Sequence, residues 1–194
     1  MTSFFDITST LPWPNAIGKR TAVGPLVGAA ESEAISELAR TTPLILVITA
    51  TTAAAHNLAS ELPFFLSDDR EILLVPDWET LPYDNFSPHE DIVSDRLKAL
   101  SRLPTLKSGV VIVSVTTLMH RLAPRHFIDA GVLSLKTGET LDAEQFVRNL
   151  TRNGYRSVDT VYEHGEFATR GSLLDVFPMG SDEPLRIDLF DGEI

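Results

Sequence analysis

Three apolar runs, Leu44–Ile48, Ile72–Val75 and Val110–Val113, are separated by stretches in which apolar residues return at helical rather than alternating spacing. Continuous runs rich in branched residues suit strands buried on both faces of a parallel sheet. Ahead of the first, the composition of Leu26–Arg40 favours helix. After it, Ala55, Leu58, Ala59 and Leu62 keep i, i+3, i+4, i+7 spacing up to Pro63,. Ser87, Pro88 and Glu90 read as N-cap, first helical residue and capping-box acid of a helix whose buried face would carry Val93, Leu97 and Leu100 and which would extend to Leu103. A short helix over Thr116–Leu122 follows the third run. Strands alternating with helices predict an open α/β sheet with right-handed crossovers.

Near Arg125 the pattern changes. Gly131–Leu135 reads as a short strand and Thr137-Gly138 as a turn. Asp142 is placed to cap a helix with Ala143, Phe146, Val147 and Leu150 on its apolar face and Gly154 at its end. Beyond Val158 only strands and turns are expected, with Ser172–Pro178 and Leu185–Phe190 the clearest. The chain therefore divides into an α/β domain over residues 1–124 and a smaller α+β module over 125–194. The first twenty residues hold Phe4, Phe5, Leu11, Pro12 and Trp13, a short apolar segment suited to docking on the body.

Composition narrows the function. The 194 residues carry 27 acidic and 16 basic side chains, a formal charge of −11, so a sequence-independent grip on nucleic acid backbone would work against the overall field. No cysteine is present, which removes disulfides, thiolate nucleophiles and cysteine metal sites and agrees with a cytoplasmic location. No apolar run approaches the roughly 20 residues that span a bilayer, and no secretory signal is evident. The strand-like finish at Leu189–Ile194 suggests a longer parent chain.

An open α/β sheet raises the question of a phosphate loop. Gly18-Lys19-Arg20-Thr21 lacks the preceding glycine and a feeding strand, and Val23–Ala30 has glycines but no lysine. The five histidines lack metal-ligand spacing, no nucleophile elbow occurs, and the carboxylate pairs sit in capping or turn contexts. No catalytic residue, metal site or cofactor site is therefore assigned. The loop Asp77–Phe86 sets Trp78, Tyr83 and Phe86 beside Asp77, Glu79 and Asp84; its plainest reading is a connection pinned to the core by its aromatics.

From Asp159 onward there are nine carboxylates and two arginines, Arg170 and Arg186. Arg170 lies in A-T-R-G-S, where Gly171 implies a turn beside a strand. Such an arginine is either held in a local salt bridge or, with Arg156 and Phe177, forms an anchor for another protein.

The string P-D-W-E-T-L-P-Y-D-N-F-S-P-H, with E-H-G-E-F-A-T-R-G-S-L-L-D-V-F-P-M-G at Glu163–Gly180 and R-I-D-L-F-D-G-E-I at the end, resembles the amino-terminal region of the bacterial transcription-repair coupling factors (Mfd), itself similar to the excision-repair protein UvrB. The resemblance implies a degenerate helicase-like sheet of P-loop type that has lost its phosphate loop near Gly24–Ala30, followed by a module that binds UvrA. It implies a non-catalytic adaptor that recruits UvrA to stalled RNA polymerase. Arg170 falls on an arginine of the UvrA-binding surface, Arg156 lies near another, and Ala168 replaces a second arginine. Contacts with RNA polymerase and DNA, and the use of ATP and Mg, are implied only for domains beyond Ile194. The alternatives are half of an ATP-dependent DNA translocase with real nucleotide binding, and an intramolecular autoinhibitory clamp.

Overall fold

A computed structural model describes residues 13, 17–67, 69–81, 83–133 and 135–194. Phe4, Phe5, Leu11 and Pro12 of the amino-terminal apolar segment lie outside the described residues. The chain forms two compact units, residues 1–75 with 106–119, and residues 76–105 with 120–194. The loop after Val75 and the helix that follows it thus group with the second unit, whereas the change of sequence pattern suggested a boundary at 124/125.

The first unit holds α1 (Ala30–Thr41), β1 (Leu44–Thr49), α2 (Thr52–Phe65), β2 (Glu71–Val75), β3 (Gly109–Ser114) and the single turn α4 (Val115–Leu118). Its strands make a parallel sheet in the order β1-β3-β2. Thr51 caps α2 by accepting from Ala54 N at 3.1 Å. The helix continues through Pro63 to Phe65, past the end expected from its apolar spacing. Leu58 and Leu62 pack with Ala39, Ile45, Val110 and Ile112 in the core of this unit. Arg70 ties the strand starts together, donating to Pro43 O at 3.0 Å and to Ser108 Oγ at 2.9 Å. Central β3 is buried throughout. β1 instead occupies an edge and leaves Leu44, Leu46 and Ile48 exposed, so the expectation of burial on both faces fails there. An unbroken apolar run reads the same at an edge as in the centre.

The second unit contains α3 (Glu90–Arg102), α5 (Arg125–Gly131), α6 (Ala143–Arg152) and a four-stranded sheet of β4 (Arg156–Ser157), β5 (Glu166–Arg170), β6 (Leu173–Val176) and β7 (Leu185–Asp188). β4 pairs parallel with β5, and β5, β6 and β7 pair antiparallel in sequence order. Asp142 caps α6, its Oδ1 accepting from Gln145 N at 2.9 Å. Phe146 and Leu150 pack on Phe167, Leu174, Val176 and Ile187.

Several local expectations change. The cap of α3 is His89, whose Nδ1 accepts from Asp91 N at 3.3 Å, two residues after the expected Ser87. The fully buried positions of α3 are Ser94, Arg96 and Ala99, while Val93, Leu97 and Leu100 are only half-buried. The helix ends at Arg102 in a 3-10 turn over Leu103–Thr105. Residues 125–131 are helical, and none of the described residues 131–135 forms a strand; Leu133 and Leu135 instead pack against the α6 core as irregular chain.

Candidate protein-binding face

Strand alternation divides the second sheet into two faces. Phe167, Leu174, Val176 and Ile187 point toward α6. By register the opposite face carries three cross-strand rows: Arg156–Glu166–Phe177, Ala168–Asp175–Arg186, and Arg170–Leu173–Asp188. Phe177 joins its row through Phe177 N to Glu166 O at 2.9 Å. Arg156, Arg170 and Phe177 therefore share one face. Four residue steps along β5, from Glu166 to Arg170, take the first row to the third, roughly 13 Å at about 3.3 Å per residue,, so the two arginines make two anchor points and not one pocket.

Each anchor is held by neighbouring groups. Arg156 lies in β4, within the pairing and not in a loop, and its Nη2 reaches Glu163 Oε2 at 3.1 Å and Glu166 Oε1 at 3.4 Å. Its side chain remains 57% exposed, so this pairing leaves a guanidinium surface available. Glu166 also accepts from the backbone N–H groups of Tyr162 and Glu163 at 2.9 and 3.0 Å. Those two amides, followed by the Arg156 charge, hold its carboxyl below the usual range,. Arg170 donates from Nη2 to Asp159 O at 2.5 Å and to Thr160 Oγ1 at 3.2 Å. The connection between β4 and β5 is thus fastened at both ends to this face. The tight turn after Arg170 uses Gly171 at φ +62°. Arg186 makes a two-point pair with Asp175, Nε to Oδ1 at 2.6 Å and Nη2 to Oδ2 at 2.8 Å, which lowers the Asp175 pKa,.

Phe177 is half-buried. Its ring lies 4.0 Å from the ring of His164, centroid to centroid. His164 in turn bonds Asp91 Oδ1 through Nδ1 and Ser181 O through Nε2, both at 2.9 Å. This is one of three links along α3, because Asp91, Ser94 and Lys98 recur at i, i+3 and i+7. Ser94 Oγ accepts from Gly180 N at 2.8 Å, and Lys98 Nζ pairs with Asp182 Oδ1 at 2.6 Å. Gly180 has φ +81°, and a Cβ there would meet Lys98 Cα at 3.4 Å. Ala168 is 3% exposed, so that position offers no surface for a contact.

Sequence reading missed Glu166, Asp175, Arg186 and His164 as parts of this face. Counting by two from Arg170 reaches Ala168 and Glu166, and the alternation Leu174–Asp175–Val176–Phe177 would have placed Asp175 beside Phe177. His164 carries no such signal, since its partners are distant in the chain.

The loop after β2 is organised by another unexpected residue. Arg96, 2% exposed, places its guanidinium 4.6 Å from the centre of the Trp78 ring and donates from Nη1 to Pro76 O at 2.6 Å. Burial lowers its pKa, partly opposed by the Asp77 charge. Trp78 is pinned inward, as the sequence suggested, but Tyr83 and Phe86 are 103% and 81% exposed. The aromatics of this loop therefore sit in two different surroundings.

At the start of α1, where a phosphate loop would deliver its amides, the first turn carries Glu31 and Glu33. Among the described residues no group of three His, Cys, Asp or Glu side chains is arranged to hold a metal, and no helix is long and apolar enough to cross a membrane.

Residues 133–194, the carboxy-terminal part of the second unit, match the family described as the UvrB interaction domain. The match spans α6, all four strands of the second sheet, and Arg156, Arg170 and Phe177. Most of the chain also aligns with transcription-repair-coupling factors. It is 45% identical over 182 residues to that of Escherichia coli (strain K12), covering 93% of this chain and 16% of the relative. It is 44% identical to that of Haemophilus influenzae over 89% of this chain and 15% of the relative. A relative in Staphylococcus aureus (strain USA300) is 31% identical over 90% of this chain and 15% of its own length. The chain belongs to the transcription-repair-coupling factor family and spans about a sixth of the length of these relatives.

Proposed function

We propose that this chain is a non-catalytic adaptor in transcription-coupled DNA repair, recruiting the excision-repair protein UvrA through the outer face of its second sheet. The observation that carries the reading is the register placing Arg156, Arg170 and Phe177 on one face within the stretch that matches the UvrB interaction domain. Arginine and aromatic side chains supply much of the energy at protein interfaces. Here the two arginines stand on paired strands and Phe177 directly follows β6, so little ordering remains to be done on binding,. Any action on RNA polymerase or DNA belongs to other parts of the longer family proteins.

The first unit is, on this reading, a helicase-like sheet without nucleotide chemistry. Two carboxylates in the first turn of α1 oppose a bound phosphate,, and no lysine stands within Val23–Ala30.

The test is calorimetric titration of the chain into UvrA beside the Arg170→Ala variant. Arg170→Ala should cost about 2 kcal/mol, roughly thirtyfold in affinity, with unchanged helix and strand content by circular dichroism. Equal binding by both proteins would remove Arg170 from the interface, and no binding by the unmodified chain would overturn the adaptor reading. Measurable ATP binding would favour the translocase alternative instead.

A further inference from the structure

The loop Asp77–Phe86 presents Leu81, Tyr83 and Phe86 at 74%, 103% and 81% exposure, three large apolar side chains within six residues. Arg96 holds Pro76 and Trp78 at its base. Leu81 N donates to Asp84 Oδ2 at 2.7 Å and Asp84 N to Leu81 O at 3.1 Å, closing a turn at its tip. Tyr83 is held at φ +75°, a conformation that bulky side chains rarely adopt, and its ring is fully exposed. The folded chain therefore gains no burial from that side chain in return for the strained backbone.

The surroundings select the partner. Between Arg70 and Arg96 the sequence has seven carboxylates, at Glu71, Asp77, Glu79, Asp84, Glu90, Asp91 and Asp95, and no lysine or arginine. Such a field repels a phosphate backbone and equally a second copy of this acidic chain. It complements a protein surface with an apolar depression rimmed by lysine or arginine. The loop is also joined, through the start of α3, to the face already described. His89 follows Phe86 by three residues and its Nδ1 lies 3.3 Å from Asp91 Oδ2. Asp91 bonds His164, whose ring lies against Phe177.

We propose that Leu81, Tyr83 and Phe86 are a second, apolar contact for the partner that engages Arg156 and Arg170, seated in a basic-rimmed depression on it. This rests on the adaptor reading and widens its surface from the sheet to the loop. UvrA is titrated with the unmodified chain, Arg170→Ala, Tyr83→Ser, and the triple variant Leu81→Ser/Tyr83→Ser/Phe86→Ser. Melting temperature and sedimentation are measured for each. Because these side chains are exposed, the loop variants should keep the wild-type melting temperature. Tyr83→Ser should weaken binding about tenfold and the triple variant more. Wild-type affinity in a triple variant, with Arg170→Ala defective, would overturn the loop contact while leaving the adaptor reading in place. No UvrA binding by the unmodified chain would overturn both. Self-association lost only in the loop variants would reassign the loop to contacts between copies and overturn its assignment to UvrA.

Discussion

Replacing Arg96 in two ways separates what its charge does from what its volume does. The side chain is 2% exposed, makes one short bond to Pro76 O, and stacks on Trp78. A charge-assisted bond of this kind contributes about 1.5–3 kcal/mol, and a desolvated cation over an aromatic ring about 1–2 kcal/mol. Against this stands the cost of keeping a cation out of water, registered in its lowered pKa and in Nη2, which has no hydrogen-bond partner. Arg96→Met fills most of the space and relieves that cost, so a net loss of about 1–2 kcal/mol is expected. Arg96→Ala adds a cavity and should lose about 3–5 kcal/mol. Urea unfolding gives both values. Trp78 fluorescence, in a Trp13→Phe background that removes the other tryptophan, reports whether the stacked cation has gone. Equal losses for Met and Ala would refute the separation of charge from volume. Unchanged Trp78 emission in folded Arg96→Met would refute the stacking argument.

Two other substitutions test the sheets. Gly109 has φ +146°, and a Cβ there would lie 2.3 Å from Glu71 O, so Gly109→Ala should cost about 3 kcal/mol by urea unfolding; a variant within about 0.5 kcal/mol of wild type would contradict the pairing of β2 with β3 at that point. Glu166, with its carboxyl pKa depressed in the folded chain, lends stability that is present above the ordinary glutamate value near 4.3 and is lost as pH falls through the lower folded value,. The difference in urea midpoint between wild type and Glu166→Gln should therefore be greatest at neutral pH and shrink in acid, and a pH-independent difference would refute the role assigned to the carboxylate.

The alternation of apolar runs with helical spacing made β1, α2, β2 and β3 legible because each element repeats a local pattern. The cap and apolar face of α6 were legible for the same reason. The helix α5 was not, since Arg125–Gly131 is short and Ile128 is the one buried apolar side chain among those described in it. The structural role of α3 was hidden more deeply. Its inward positions include Ser94 and Arg96, which a hydrophobic pattern assigns to solvent, and the partners that make them inward lie at Gly180 and Pro76. At the candidate face the residue types Arg156, Arg170 and Phe177 could be chosen from composition, but their common side depends on a register between strands. That register follows from long-range pairing, which no single stretch encodes.

The links from α3 to residues 164–182 also set an order of events during synthesis. Once β3 has left the ribosome, every strand of the first sheet is available to pair. Lys98 must wait for Asp182, 84 residues later, and Ser94 for Gly180, 86 residues later. Until then α3 emerges without the partners that Ser94 and Lys98 find in the finished chain, and the interval is set by translation speed. A nascent chain paused before Gly180 would therefore hold a completed parallel sheet while the recruiting face was still being made.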